Sequence, residues 1–262
     1  MKYKIAWHEF GAGEPIVLLH GGHGSWQHWL RNIEALAQHG HILVPDMPSY
    51  GQSDALQDPT MTSLVNTTRA AVDEWLGSDT TVRMVGFSFG GLVAAQIAAI
   101  RPNITHLALL GSAGHGTTRR PIGKLLDWKE ASQANDETTV REVMRHNLLT
   151  HMLAHESSVD DESLAIHTSA CMKTRFHSKK ISHAGGLVEA LTAARQINPS
   201  MSLIGAWGER DVTCTPQAVL DVMLPLGLTN ERSLIVANAG HWVQYEAADA
   251  INTFLLNHLF KQ

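Results

Sequence analysis

An α/β protein, with a mostly parallel, doubly wound sheet carrying helices on both faces and an inserted helical cap, is what the 262-residue sequence predicts. Three observations carry that prediction. Short continuous apolar runs alternate with amphipathic helical segments from the N-terminal region to about residue 110, as expected of buried parallel strands joined by helices. One of those runs ends in a glycine-rich turn that opens directly into a helix, Gly86-Phe87-Ser88-Phe89-Gly90. The alternation then stops, and only helical patterns fill residues 115–185 before strand and helix resume.

Taken in order, residues 3–10 alternate loosely and suit an edge strand, closed by the turn Gly11-Ala12-Gly13-Glu14-Pro15. The apolar run 16–19 is a covered strand that ends in His20-Gly21-Gly22-His23-Gly24-Ser25. A helix over 26–37 places Trp29, Ile33, Leu36 and Ala37 on one face. The strand 42–44 leads into the turn-rich Asp46-Met47-Pro48-Ser49-Tyr50-Gly51-Gln52-Ser53-Asp54. A second helix carries Leu64, Thr68, Ala71, Val72 and Trp75 on one face and stops at Gly77. After the strand 82–85, the turn and its helix, a further strand lies at 107–110. In the cap, Val140, Val143, Met144, Leu148 and His151 mark one helix, and Leu164, His167, Cys171 and Met172 another. Beyond it come a helix over 187–197, strands at 201–206 and 234–237, and a closing helix over 248–260. The expected organisation is core at 1–114, cap at 115–185 and core again at 186–262. The cap carries ten Lys and Arg against nine Asp and Glu, while the rest of the chain has a net charge of −6. An insertion leaving the carboxyl edge of such a sheet sits where ligands bind.

Composition narrows the function classes. With 44% hydrophobic and 17% charged residues the chain reads as a globular protein. A net charge of −5 gives no footprint for nucleic acid or an anionic membrane surface. No apolar stretch approaches the roughly 20 residues that span a bilayer, and the first residues lack the apolar core of a secretory signal. Cys171 and Cys214 read as free thiols of a reducing compartment, so a cytoplasmic location is expected. His151 and His155 stand four apart on a helix, but no further ligand completes a metal set, and they read as solvent-facing. No metal and no cofactor are expected; the partner is a small-molecule substrate, and a homo-oligomer is compatible with the sequence.

The chemistry starts at Ser88. A strand that turns at Gly-x-Ser-x-Gly straight into a helix holds its serine in a strained conformation at the helix N-terminus. Alone, the stretch could be a glycine-rich turn without chemistry. A serine hydroxyl needs a base, and the base an orienting acid. His241, in a small-residue loop just past a strand end, is the candidate base. Asp211, after the strand at 201–206, is preferred as the acid, with Glu209 second. The order serine, acid, histidine, each at a strand's carboxyl end, matches one of the known triad orders. The backbone N–H groups of Gly22 and Phe89 are the candidate oxyanion donors.

These motifs, with Gly208-Glu209-Arg210-Asp211 and Gly240-His241, resemble the α/β-hydrolase superfamily, capped branch, over nearly the whole chain. Gly240-His241-Trp242 followed by Gln244-Tyr245-Glu246 is similar to hydrolases that cleave carbon–carbon bonds in ring-fission products. That resemblance implies an Asn before the nucleophile and a cap Arg. Here the first position is Phe87, which cannot hydrogen-bond a dienolate, and Arg175 is the candidate for the second. Phe87, Arg175 and Trp242 are therefore the candidate substrate contacts. The Gly usual after Asp-x-Pro is Ser49. Ser88, where dehalogenases and epoxide hydrolases of the superfamily have Asp, argues against both activities. The expected function is cofactor-free serine hydrolysis of a small carboxylic ester or related acyl compound. Hydrolysis of a carbon–carbon bond in a vinylogous diketone is the alternative, and a ligand-binding or signalling protein on the same fold is an alternative of another class.

Overall fold

The apolar runs become seven strands of one sheet in a computed structural model that describes residues 3–260. They are β1 (Trp7–Gly11), β2 (Pro15–Leu19), β3 (His41–Pro45), β4 (Val82–Phe87), β5 (Ile104–Leu110), β6 (Ser202–Gly208) and β7 (Ser233–Val236). The spatial order is β1-β3-β2-β4-β5-β6-β7, with β1 antiparallel to β3 and all other pairs parallel. Side chains alternate between two packed layers. Val17, Leu19 and Met84 join one core, and Ile16, Leu18 and Val85 the other, the period of two that a pleated strand imposes.

Helices cover both faces. Along the chain they are α1 (Leu30–Ala37), α2 (Met61–Leu76), α3 (Phe89–Ala98), α4 (Lys129–Gln133), α5 (Glu137–His151), α6 (Asp161–Lys173), α7 (Ser178–His183), α8 (Leu187–Ile197), α9 (Pro216–Met223), α10 (Val243–Glu246) and α11 (Ala248–Leu259). Leu64 and Val72 of α2, Leu92 and Val93 of α3, Leu191 of α8 and Val219 of α9 fill the first layer. Ile33 and Leu36 of α1 with Ile251 and Leu255 of α11 fill the second. The stretch 115–185 contains α4 to α7 and no strand among the described residues. Val140, Met144 and Leu148 of α5 and Leu164 and Ile166 of α6 extend the second core, so the insertion is packed onto the body of the molecule.

Three differences from the sequence reading have local causes. The expected helix over 26–37 opens as a 3-10 turn at Trp26–Trp29, where the Ser25 hydroxyl accepts from the Gln27 N–H at 3.3 Å. β5 begins at Ile104, three residues earlier than its apolar run suggests, because it pairs with β4 from Val82 onward. α9 has no counterpart in the sequence reading; it is short and starts at Pro216, a residue suited to the first helical position.

The topology positions the site. β2 lies between β3 and β4, so the chain reverses direction across the sheet there. The loops after β2 and β4 leave the carboxyl edge on either side of that switch point, where open α/β sheets bind ligands. Those loops carry Gly22 and Ser88.

Candidate active site

Ser88 sits between β4 and α3 with φ 52° and ψ −118°, a conformation that non-glycine residues rarely adopt. Tight packing holds it there. A Cβ on Gly86 would lie 2.5 Å from the Gly90 carbonyl oxygen, and one on Gly90 would lie 2.3 Å from the His20 carbonyl oxygen. Only glycine fits at either place. The Ser88 N–H donates to the Leu110 carbonyl at 2.9 Å, and the Ala113 N–H donates to the Ser88 carbonyl at 2.9 Å. The hydroxyl remains partly exposed beside the first turn of α3.

The loops after β6 and β7 bring the other groups. His241 Nε2 lies 2.9 Å from Ser88 Oγ, and His241 Nδ1 lies 2.9 Å from Asp211 Oδ2. With Asp211 accepting from Nδ1–H, Nε2 carries the lone pair that faces the serine hydroxyl. The second carboxylate oxygen of Asp211 accepts from the N–H and the hydroxyl of Thr213, each at 2.7 Å. Burial pushes the Asp211 carboxyl up, but the opposing pull of His241 and the two Thr213 donors holds it below the usual carboxylate range. Asp211 is therefore ionised at neutral pH although it is fully buried. Glu209 is spent elsewhere, accepting from the Asn238 N–H at 2.9 Å.

The loop over 20–25, which carries the candidate oxyanion donor Gly22, lies against this elbow. A Cβ on Gly21 would be 3.4 Å from Ser88 Cβ, and one on Gly22 would be 3.4 Å from Phe89 Cβ. The N–H of Phe89, the first residue of α3, has no partner within the helix. With the helix dipole it favours negative charge beside Ser88. His20 shapes the loop from beneath: it is fully buried, Nδ1 donates to the Gly21 carbonyl at 2.9 Å, and Nε2 accepts from the Met47 N–H at 2.9 Å.

The three expected substrate contacts fare differently. Phe87 is fully buried, its ring 5.1 Å from that of His241 and 5.4 Å from that of His28, so it forms the floor under the relay. Trp242 is also fully buried, stacked on Tyr245, with its indole N–H donating to the His28 carbonyl at 3.2 Å. It supports His28 from behind. Arg175 is exposed; its guanidinium donates to the Ser53 carbonyl and its N–H to the Ser49 carbonyl. None of these bonds brings it to the relay. Ser49 holds φ 70° at the place where glycine was expected, with its hydroxyl accepting from the Leu56 N–H at 2.8 Å.

Several groups at the site escaped the sequence reading. His151 is not solvent-facing: it is half-buried, and its ring lies 5.6 Å from that of His241. Burial is the main cause that lowers its pKa to about 3, with His241 and Arg119 lowering it further. Ser178 of α7 donates to the Gly22 carbonyl at 3.3 Å. Glu246 accepts from Gly240, Ala154 and His155 N–H groups at 2.6, 3.0 and 3.0 Å. Thr213 had a local signal, since a Thr two residues after an Asp can close a turn on it; the others depend on contacts between distant segments.

Fold and site together define a hydrolase of the nucleophile-elbow type. The α/β-hydrolase fold family matches residues 14–248, and the chain belongs to that family. It is 28% identical to a 2-hydroxy-6-oxo-6-phenylhexa-2,4-dienoate hydrolase from Burkholderia cepacia, over 98% of this chain and 91% of that protein. It is 27% identical to a 2-hydroxy-6-oxononadienedioate/2-hydroxy-6-oxononatrienedioate hydrolase from Paraburkholderia phymatum, with the same coverage. Among solved structures, a serine hydrolase involved in carbazole degradation superposes with a TM-score of 0.72 at 20% identity, covering 98% of this chain and 95% of that one. No helix among the described residues is long and apolar enough to cross a membrane.

Proposed function

We propose that this chain hydrolyses the carbon–carbon bond of a vinylogous diketone, a 2-hydroxy-6-oxo-dienoate of the kind that ring fission produces. The observation that carries the reading is the Ser88–His241–Asp211 relay in a chain alignable almost end to end with hydrolases of that name. Ser88 Oγ attacks the ketone carbon while His241 Nε2 takes its proton. Asp211 fixes the imidazole tautomer and balances the imidazolium. The Gly22 and Phe89 N–H groups hold the oxyanion, each such donor contributing about a hundred- to a thousandfold in rate. The carbon–carbon bond then breaks, its electron pair leaves as a dienolate, and the His241 proton returns to carbon. Water, deprotonated by the same imidazole, releases the acyl group as a carboxylic acid. No cofactor enters any of these steps.

Ester hydrolysis by the same residues is the second reading, and Phe87 favours it. Its apolar ring offers no hydrogen bond to a dienolate, whereas an alkoxide leaving group needs only the proton from His241. One assay separates the two. The purified chain is given a chromogenic ring-fission product and, in parallel, p-nitrophenyl esters of graded chain length. Bleaching of the chromophore that disappears in Ser88→Ala supports the first reading. Ester turnover with no bleaching overturns it in favour of the second, and fluorophosphonate labelling without any turnover overturns both in favour of a binding protein.

A further inference from the structure

The loop over 20–25 is pinned on both sides of Gly21 by an imidazole. On the carbonyl side, His20 Nδ1 donates to the Gly21 oxygen at 2.9 Å. On the amide side, the Gly21 N–H donates to His28 Nδ1 at 3.2 Å. The two rings meet edge to face with their centroids 6.3 Å apart. The peptide that carries the Gly21 carbonyl also carries the Gly22 N–H, and in a trans peptide the two point in opposite directions. Fixing that carbonyl therefore fixes the direction of the candidate oxyanion donor. Gly21 has no side chain to restrict its φ and ψ, so the bond on its carbonyl alone would leave the preceding peptide free to turn. The bond to His28 removes that freedom.

His28 belongs to the 3-10 turn at Trp26–Trp29, and its N–H donates to the Ser25 carbonyl at 3.0 Å. The loop folds around its ring: a Cβ on Gly24 would lie 2.5 Å from His28 Cε1 and 2.6 Å from Nδ1. The ring centroid stands 5.4 Å from that of Phe87, the residue before Ser88, and 4.8 Å from that of Trp242, the residue after His241. Its backbone carbonyl accepts from the Trp242 indole N–H. Because Nδ1 accepts, the ring proton is on Nε2, and that nitrogen is buried with no hydrogen-bond partner among the described residues. Burial holds the His28 pKa well below the ordinary histidine value, with His20, His167, His241 and His23 acting in the same direction, so Nδ1 keeps its lone pair at neutral pH. Packing alone does not account for a histidine at this place. An apolar side chain of similar size would spare the cost of an unpartnered buried N–H; what it would lack is the bond to Gly21.

We propose that His28 is a positioning residue for the reaction: by accepting from the Gly21 N–H it holds the backbone over 20–22 in the arrangement that presents the Gly22 N–H to the developing oxyanion. This role rests on Ser88 being the nucleophile and Gly22 an oxyanion donor, but not on which bond Ser88 breaks. It needs an acceptor at the place of Nδ1 rather than an imidazole as such. In His28→Asn the amide oxygen can take that place; in His28→Gln it lies one carbon farther out, and His28→Leu has no acceptor.

The test needs no knowledge of the substrate. Labelling of Ser88 by a fluorophosphonate develops negative charge on an oxygen beside the same N–H donors. Second-order labelling constants are measured against pH for wild type and the three variants, with thermal melts in parallel. His28→Leu and His28→Gln should label about ten- to a hundredfold more slowly, short of the hundred- to thousandfold that follows outright loss of a donor, and His28→Asn should stay within about threefold of wild type. The pH midpoint of labelling, which reports the base His241, should not move in any of them. An undiminished rate in His28→Leu, a His28→Asn as slow as His28→Leu, or a slowed His28→Leu whose midpoint shifts overturns the proposal. Should His28→Leu not fold, His28→Asn against His28→Gln decides it. Wild type that is not labelled at Ser88 overturns the nucleophile reading and this role with it, whereas the other failures leave Ser88 standing.

Discussion

Gly90→Ala tests whether the elbow and the oxyanion loop act as one packed unit. The added Cβ would lie 2.3 Å from the His20 carbonyl oxygen, 2.5 Å from that of Leu19 and 2.8 Å from the Leu19 carbonyl carbon. Ordinary contacts of carbon fall at about 3.5 Å or more, so α3 must retreat from the end of β2 by about 1 Å. All three atoms are backbone and have no rotamer to yield. Overpacking of this kind costs about 1–3 kcal/mol, which for a chain of this size lowers Tm by roughly 3–10 °C. The functional loss should be larger than the stability loss suggests. Gly22 follows directly on His20 and Gly21, and Phe89 precedes Gly90, so the same retreat separates the two N–H donors. A misplacement of about 1 Å at such a centre costs on the order of a hundredfold in rate. Thermal melts and steady-state kinetics on any turned-over substrate provide the assay, with Gly123→Ala as the control, because a Cβ there meets only the Thr150 side chain, Cγ2 at 3.3 Å and Oγ1 at 3.8 Å. The expected result is kcat down about a hundredfold with KM nearly unchanged. Gly90→Ala with wild-type Tm and kcat within threefold would refute the reasoning.

Three further outcomes are expected. Asp211→Asn should lower kcat by about ten-thousandfold with little change in Tm, because an amide can donate to His241 Nδ1 and select the wrong tautomer; parallel melts and kinetics check it. Acid should destabilise the fold through His167, whose folded pKa burial lowers to about 4: the unfolded chain binds a proton near pH 6.5 and the folded chain does not, so stability is lost as pH falls from about 6.5 towards 4. The loss from this one group is roughly 3 kcal/mol, and Tm measured at pH 7, 5.5 and 4.5 should fall less steeply in His167→Gln; identical slopes would count against it. Ser49→Gly should leave Tm within about 3 °C, because relief of the left-handed conformation, about 1 kcal/mol, opposes loss of the hydroxyl bond to the Leu56 N–H, of similar size.

The strands were legible because burial on both faces writes a continuous apolar run, and the principal helices because one covered face writes a period near 3.6. α9 failed that test through brevity, and α4 and α7 lie inside a stretch whose pattern is weak. Ser88, Asp211 and His241 could be picked out because each follows a strand at the edge where α/β sheets bind ligands. His151 shows the limit. Its spacing from His155 is a statement about one helix face, and that face points inward only because α5 crosses the relay. Trp242 and Arg175 mark another limit. Residue type suggested substrate contacts, whereas the bonds these side chains make, Trp242 to the His28 carbonyl and Arg175 to the Ser53 carbonyl, depend on segments far away in the chain.

The insertion is fastened at two of the loops it covers. Arg120 ties its leading segment to the loop of Asp211 through three carbonyls. At the other side Glu246 joins Gly240, beside the catalytic candidate His241, to Ala154 and His155, and the Trp242 N–H donates to the Met152 carbonyl at 2.7 Å. Beneath that seam Arg31 lies 3.7 Å above the Tyr245 ring and pairs with Asp160 and Glu162. The loops that carry Asp211 and His241 are thus both held by the inserted segment. A displacement of that segment must also strain the loops that align His241 with Ser88. The insertion and the alignment of His241 with Ser88 therefore share one mechanical frame.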